Sequence, residues 1–211
     1  KGLGGILEKA IAYAHILRVV VSLFSFLLTE KRIFKMPESC PIWNLSDLYD
    51  GVDSTALKTD IAMCLKLSIE LEQSWQGKLA TSSSSQLVDV IAGYEAILEH
   101  LGKVQTHAQL LFAANTNDPA IAKHHQLIRE VSAKVGASLL FVELELARMD
   151  EQRLIDLMKD SALTRFAPWL RRVRAMAPYQ LSDEIEKMIA ERSPTGSGAW
   201  VRLFDETTTA M

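Results

Sequence analysis

From Asp53 onward, apolar residues recur at intervals of three and four, which is the period of one face of an α-helix. Asp53 and Ser54 are residue types that cap helix N-termini, and Gly77 is typical of a position just after a helix end. The pattern therefore predicts a first helix between these positions. Its inward stripe comprises Leu57, Ile61, Cys64, Ser68, Leu71 and Trp75.

Two longer helices are predicted to follow. The hydroxyl-rich residues 81–85 form a linker whose last residue, Ser85, is suited to cap the second helix. That helix has a wide apolar arc, which indicates packing against more than one neighbour. The arc consists of Leu87, Val90, Ile91, Tyr94, Ile97, Leu98, Leu101, Val104, Ala108 and Leu111.

The third helix is predicted to begin at Asp118 and Pro119, a cap residue followed by a proline that the first helical position tolerates. Its apolar positions repeat every seven residues with a second row beside them. This pattern suits a long helix that packs nearly antiparallel to the second one. The positions are Ile121, Ile128, Val131, Val135, Leu139, Val142, Leu146 and Met149.

Shorter helices are expected after Asp150. Pro168 interrupts the apolar pattern of residues 166–176, Ser182 opens a further helix, and residues 193–198 form a loop before the helical pattern resumes at Ala199. Strand-like alternation and internal repeats are absent from the sequence. The predicted fold class is all-α, an antiparallel bundle-like array of helices.

Residues 1–35 differ from the rest of the chain. Residues 19–28 are an uncharged apolar run, which is shorter than the about 20 apolar residues that a membrane-spanning helix needs. Lys1 and Lys9 precede the run as in a signal peptide, but no small-x-small cleavage site follows it. The first methionine is Met36, so we expect the preceding residues to be upstream translated sequence or the flank of a fragment.

Two alternatives for this leader remain open: a signal or membrane anchor, and a packed helix. A membrane-attached protein that uses residues 16–28 is the corresponding functional hypothesis. The domain prediction is an apolar leader at 1–35, outside the fold, and a helical domain at 36–211. Membrane association is the less favoured interpretation.

Composition narrows the class of protein. The chain is 48% hydrophobic and 23% charged, with 10 Gly and 6 Pro, which are globular values and exclude collagen-like and disordered chains. The net charge of −3 and the lack of a basic stripe argue against nucleic acid as a partner. Cys40 and Cys64 form neither a metal-binding spacing nor a disulfide framework. A reducing, cytoplasmic location is therefore expected, with a single bridge as the alternative.

The residue types that carry chemistry do not form a catalytic motif. His100 and His107 are seven apart, whereas helical zinc pairs are usually four apart, and HExxH does not occur in the 211 residues. His124 and His125 are adjacent and point in different directions. We interpret the histidines as solvated or partly buried helical residues, and Cys64 as a small core residue. Neither a GxSxG nucleophile elbow nor a phosphate-binding loop is present.

Two charged groups have competing interpretations. Glu143, Glu145 and Asp150 could be paired carboxylates, but their helical spacing near Arg148 favours a solvated face with local ion pairs. A basic cluster surrounds Trp169 and could hold a peptide carboxylate or an acidic partner. The preferred interpretation is a solvated face whose arginine stems cover apolar surface. The cluster consists of Arg165, Arg171, Arg172 and Arg174.

Several stretches, in order, carry a family resemblance. The first is Pro41-Ile42-Trp43-Asn44-Leu45-Ser46-Asp47-Leu48-Tyr49, and the others are residues 94–112, 117–119, 140–146, 181–187 and 193–204. Together they resemble oligoendopeptidase F and its relatives, which are thimet-oligopeptidase-like zinc peptidases. The resemblance covers about residues 41–211. It rests on order and spacing, since no single stretch is a catalytic signature.

The resemblance implies an all-helical fold with a deep channel, in which N-terminal helices form one wall and admit only short, unstructured peptides. In the family, the histidines of HExxH and a later glutamate bind zinc, and the HExxH glutamate activates water. The resemblance therefore assigns no catalytic residue, metal ligand or cofactor to this segment, and it implies zinc in the full-length enzyme. We expect the catalytic part to lie beyond Met211. Residues 1–35 have no identified counterpart.

The resemblance thus implies the N-terminal substrate-channel domain of a zinc metallo-oligoendopeptidase, inactive by itself. The expected partners are the protein's own C-terminal catalytic domain and short peptide substrates. The candidate channel-lining residues are Trp169, Arg171, Arg172 and Tyr179. The alternative is a free-standing helical interaction module that descended from such a peptidase.

Overall fold

Helices follow the periodic pattern in the computed structural model, which describes residues 43–209. Within that range the regular structure is helical and contains no strand, so the all-α prediction is confirmed. The helices are α1 (Thr55–Trp75), α2 (Ser84–Ala114), α3 (Pro119–Arg148), α4 (Glu151–Leu157), α5 (Ser161–Thr164), α6 (Ala167–Met176), α7 (Asp183–Arg192) and α8 (Ser197–Thr209). Short 3-10 turns occur at Leu79–Thr81 and Ala177–Tyr179.

Contacts divide the chain into two units, Lys1–Trp43 and Asn44–Met211, and all of these helices belong to the second. The predicted boundary between residues 35 and 36 and the possible membrane segment at 16–28 lie outside the described residues, and both stay predictions. In the described part of the chain, every helix is too short or too polar to cross a lipid bilayer.

The three long helices pack against one another in alternating directions. Cys64 of α1 directs its thiol to the carbonyl oxygen of Ile97 on α2 at 3.8 Å. Early in α2, the Tyr94 hydroxyl reaches Glu143 near the end of α3, and later in α2, Gln109 pairs with His125 near the α3 start. These hydrogen bonds between the two helices require α2 and α3 to run antiparallel, as the sequence predicts.

The core between these helices consists of the predicted stripes. Leu57, Cys64 and Ser68 of α1 are buried. The apolar arc of α2 is also inside, except that Leu98 is 38% exposed and Leu111 is only partly buried. From α3, the buried members of the predicted rows are Ile128, Val131, Val135, Leu139, Val142 and Leu146, with Met149 at its end. The core therefore follows from local periodicity in all three helices.

Helix ends show where the predicted stop and start signals act. Gly77 adopts φ +78°, a left-handed conformation that glycine permits without strain, and the chain leaves α1 there. Asp118 caps α3 through the backbone N–H groups of Ala120 and Ile121, with Pro119 at the first position. Asp150 caps α4 in the same way through Arg153 N–H. These three predictions are confirmed.

Three local predictions are wrong. Ser83, not Ser85, caps α2, because Ser83 and Gln86 satisfy each other's backbone N–H in a capping box. Pro168 does not interrupt a helix but lies in the first turn of α6, where its missing N–H costs no helical hydrogen bond. Helix α8 begins at Ser197, two residues before the predicted Ala199.

Candidate functional site

The four candidate channel residues lie on α6 and the 3-10 turn after it. The Trp169 ring is half-buried against the core and packs 5.6 Å from the Tyr94 ring, centroid to centroid. Arg171 and Arg172 are exposed, and the Tyr179 side chain is 76% exposed. The structure therefore brings Trp169 next to Tyr94 but leaves Tyr179 at the surface of the following turn.

Tyr94 connects this group to α3. Its hydroxyl donates a hydrogen bond of 2.9 Å to Oε1 of Glu143. Burial and then the Glu143 charge raise the pKa of Tyr94 above its ordinary value, against the opposing charge of Arg172. The phenol therefore stays protonated and remains a donor at neutral pH. Together these side chains form a patch with one aromatic face and both signs of charge.

The interpretation of Glu143 as part of a solvated face is wrong. Glu143 is only partly exposed and holds Tyr94 in place. Glu145 also has a structural role, since its two oxygens accept hydrogen bonds from Gly77 N at 2.6 Å and Leu79 N at 3.1 Å. The sequence does contain a signal for this burial, because both glutamates alternate with the apolar residues Val142, Leu144 and Leu146. All three of these neighbours are buried.

The four arginines of the basic cluster around Trp169 make different contacts. Arg174 donates to the carbonyl oxygen of Met149 at 2.5 Å, where it stabilises the end of α3. Arg165 lies over the Phe166 ring at 4.3 Å and 3.9 Å from Glu95, an exposed pair that contributes little. Arg171 bonds within its own helix through the Ala167 carbonyl oxygen. Among the described residues, Arg172 has no hydrogen-bonded acceptor, so it is the member best placed to meet a ligand.

Helices α7 and α8 present apolar side chains to solvent. On α7, Ile185, Met188 and Ile189 follow the spacing of one helix face, and α7 buries none of its residues. On α8, Trp200, Leu203 and Phe204 follow the same spacing and are 73%, 53% and 67% exposed. We call these two sets the α7 and α8 apolar faces. Large exposed apolar patches occur at protein–protein or membrane interaction sites and in ligand-binding grooves.

The histidines were predicted to be solvated or partly buried, and His107 corrects that prediction. His107 is 1% exposed and lies edge-on to the Tyr49 ring at 5.3 Å and to the His124 ring at 6.3 Å. Burial lowers the pKa of both His107 and His124. His107 Nδ1 and His124 Nε2 are buried and lack hydrogen-bond partners among the described residues. Sequence periodicity could not place His107 inside, because Tyr49 covers it from outside the helices.

The described side chains do not come together as a metal site. Among residues 43–209, no three His, Cys, Asp or Glu side chains lie close enough to share a metal ion. The described residues therefore do not fit a zinc site of the kind that the peptidase resemblance implies, and no zinc-dependent step is assigned to them.

Comparison with protein families supports the resemblance for the C-terminal third of the chain. Residues 145–211 match the family model for oligopeptidase F, which represents the N-terminal region of the M3 peptidases. The matched range contains α4 to α8, and with them the four candidate channel residues and both apolar faces. The predicted resemblance to the N-terminal region of oligoendopeptidase F is thus confirmed there. No curated protein and no solved structure matches the chain.

Proposed function

We propose that this chain is the N-terminal substrate-channel domain of a zinc metallo-oligoendopeptidase that hydrolyses short peptides. The observation that carries the proposal is the coincidence of the family match with the α7 and α8 apolar faces. The matched residues 145–211 resemble part of a metallo-oligopeptidase, and they hold apolar side chains that the described helices leave uncovered. A second part of the same enzyme is the partner that we propose to cover them.

The proposed role of the helical body is to shape the channel and to exclude folded proteins. Trp169, Arg171, Arg172 and Tyr179 are proposed to line it, with Trp169 packing against peptide side chains. Arg172 is proposed to contact peptide carbonyl or carboxylate oxygens. Zinc and the water that it activates would belong to the catalytic part of the enzyme. A cytoplasmic location completes the proposal, in agreement with the free, buried Cys64.

The reading frame downstream of the Met211 codon tests this proposal. We expect the transcript to continue in frame and to encode an HExxH motif followed by a further glutamate. A natural stop codon directly after Met211 would contradict the proposal and support the free-standing interaction module instead. Long-read sequencing of the transcript distinguishes these outcomes without any assumption about folding.

A further inference from the structure

A groove of about 900 Å³ lies between α2 and α3 on one side and the α7–α8 region on the other. This volume is in the range of sites that bind small molecules or short peptides. Its lining mixes apolar side chains such as Leu110 and Val201 with polar ones such as Gln109, Ser132 and Ser197. The four candidate channel residues are not part of this lining, so the groove is separate from the α6 group.

Arg129 of α3 is the cationic residue of this groove. Its guanidinium lies against the backbone of Gly198, where a Cβ atom would collide with it. The absence of a side chain at Gly198 therefore lets Arg129 lie at the groove wall. Within the described part of the chain, no oxygen atom accepts a hydrogen bond from the Arg129 guanidinium. The guanidinium thus offers its planar set of N–H donors to a ligand.

Neighbouring side chains hold the His125 ring in place in the groove lining. The His125 ring stacks on Phe112 at 4.6 Å, and His125 Nε2 lies 3.0 Å from Gln109 Oε1, so the imidazole is fixed on two sides. Burial first and the Arg129 charge second lower the pKa of His125, which keeps it neutral at pH 7. Asp205 also lines the groove, but it has an interaction of its own and is not treated as a free carboxylate.

We propose that this groove binds the C-terminal carboxylate of a short peptide through Arg129. A guanidinium that faces a groove without a protein acceptor matches a carboxylate in charge and in its two-pronged geometry. The mixed lining suits the last residues of a peptide, whose apolar side chains can meet Leu110 and Val201. The peptide backbone can accept a hydrogen bond from the Gln109 amide nitrogen and donate one to the Ser132 hydroxyl oxygen, since the Ser132 proton is donated to Ile128 O at 2.7 Å. The peptide class of ligand rests on the proposed function, whereas the carboxylate chemistry rests on Arg129 itself.

Binding to the full 211-residue chain tests the proposal directly. The probes are N-acetyl-tetraalanine with a free carboxylate, the same peptide as its C-terminal amide, and inorganic phosphate. Titration is followed by calorimetry and by the NMR signals of arginine Nε–H groups. We expect the free acid to bind at least about tenfold more tightly than the amide, because a charge-assisted hydrogen bond is lost with the amide.

Three variants separate the role of Arg129 from general charge. Arg129→Gln is expected to reduce affinity for the free acid about tenfold. Arg129→Lys should have an affinity between those of the parent chain and Arg129→Gln, since lysine keeps the positive charge but lacks the planar set of N–H donors. Arg192→Gln is the matched control: Arg192 is exposed at the end of α7, outside the groove lining. It should change affinity by less than about twofold. Circular dichroism establishes that each variant is folded.

Equal affinity for the acid and the amide would overturn the proposal, and this comparison needs no variant. So would phosphate binding as tight as that of the free acid, or an Arg192→Gln effect equal to that of Arg129→Gln. Because the readout is binding and not peptide hydrolysis, failure here is distinct from failure of the proposed function. An in-frame HExxH without carboxylate-dependent binding would reject the Arg129 site alone.

Discussion

Helices α1–α3 and helices α7–α8 are all amphipathic, but they place their apolar residues in opposite environments. In the first group, residues such as Leu57, Val104 and Leu139 are almost completely inaccessible. In the second, Trp200 and Phe204 are mostly exposed and α7 buries no residue. The first group is therefore stabilised by burial of its own apolar side chains, whereas the second leaves apolar side chains exposed among the described residues.

The family match covers both apolar faces and also part of the core. The matched residues 145–211 include buried residues of α4–α6 such as Leu154, Leu163 and Leu170, whereas the buried stripes of α1 and α2 precede the match. Both apolar faces therefore lie within the range of the family match, and the α1–α2 part of the core lies outside it.

Leu139→Ala should have the largest effect on stability. Leu139 is 2% exposed in the centre of α3, so its truncation removes buried apolar area and leaves a cavity. We expect a loss of about 3 kcal/mol in the free energy of unfolding, measured by urea denaturation. Phe204→Ala, on the exposed face of α8, is the matched control and should cost less than about 0.5 kcal/mol. Equal losses would show that α8 is packed like α3.

Acidification should destabilise the α2–α3 pair next most strongly. Burial lowers the pKa of His107, His124 and His125 below the ordinary value of 6.5, so the unfolded chain binds more protons than the folded one below about pH 6.5. Stability is then lost as pH falls from 7 to 5. For each such histidine the slope is at most about 1.4 kcal/mol per pH unit. Their charged surroundings are Asp53 near His124, and Arg129 and Asp205 near His125.

The pH effect is measured by urea denaturation at several pH values. His107→Phe keeps a ring beside Tyr49 but removes one titrating group, so its stability should depend less steeply on pH. Hydrogen exchange should locate the acid-induced opening in α2 and α3 and not in α7 or α8. An unchanged slope in the His107→Phe variant would show that other groups dominate the acid response.

Phe204→Ser should have the smallest effect on stability but a clear effect on association. Phe204 is 67% exposed, so its replacement removes little buried area. The 211-residue chain is expected to self-associate weakly through its apolar faces, and the variant should do so less. Sedimentation velocity over a concentration series measures this. Thr208→Ser, one turn further along α8, is the control. A monomeric parent chain would contradict the proposed role of the faces.

Sequence periodicity was sufficient for the parts of the fold that local contacts decide. Cys64 and Ser68 lie inside because they share a helix face with Leu57, and Gly77 ends α1 because its backbone conformation is local. The antiparallel arrangement of α2 and α3 follows from the short turn before Asp118. Each of these features depends on residues within a few turns of one another.

The remaining features depend on residues that are distant in sequence. Glu145 accepts from Gly77 N across 68 positions, and no local pattern predicts such a contact. Arg129 can lie at the groove wall only because Gly198 has no Cβ atom to collide with its guanidinium. For α7 and α8, the sequence correctly indicated that helices form, but it cannot show whether an apolar face is covered. The choice of Trp169, Arg171, Arg172 and Tyr179 as channel residues also stays a prediction, since it concerns a surface and its partner.

Tyr49 determines how far this protein can be shortened. Its hydroxyl donates to Asp60 Oδ2 at 2.6 Å, the Lys103 ammonium lies over its ring at 4.4 Å, and its edge covers His107. Tyr49 precedes the first described helix, yet its side chain packs against α1 and α2 and covers the buried His107. In a deletion series from the N-terminal side, the folded yield should fall in a single step when Tyr49 is removed.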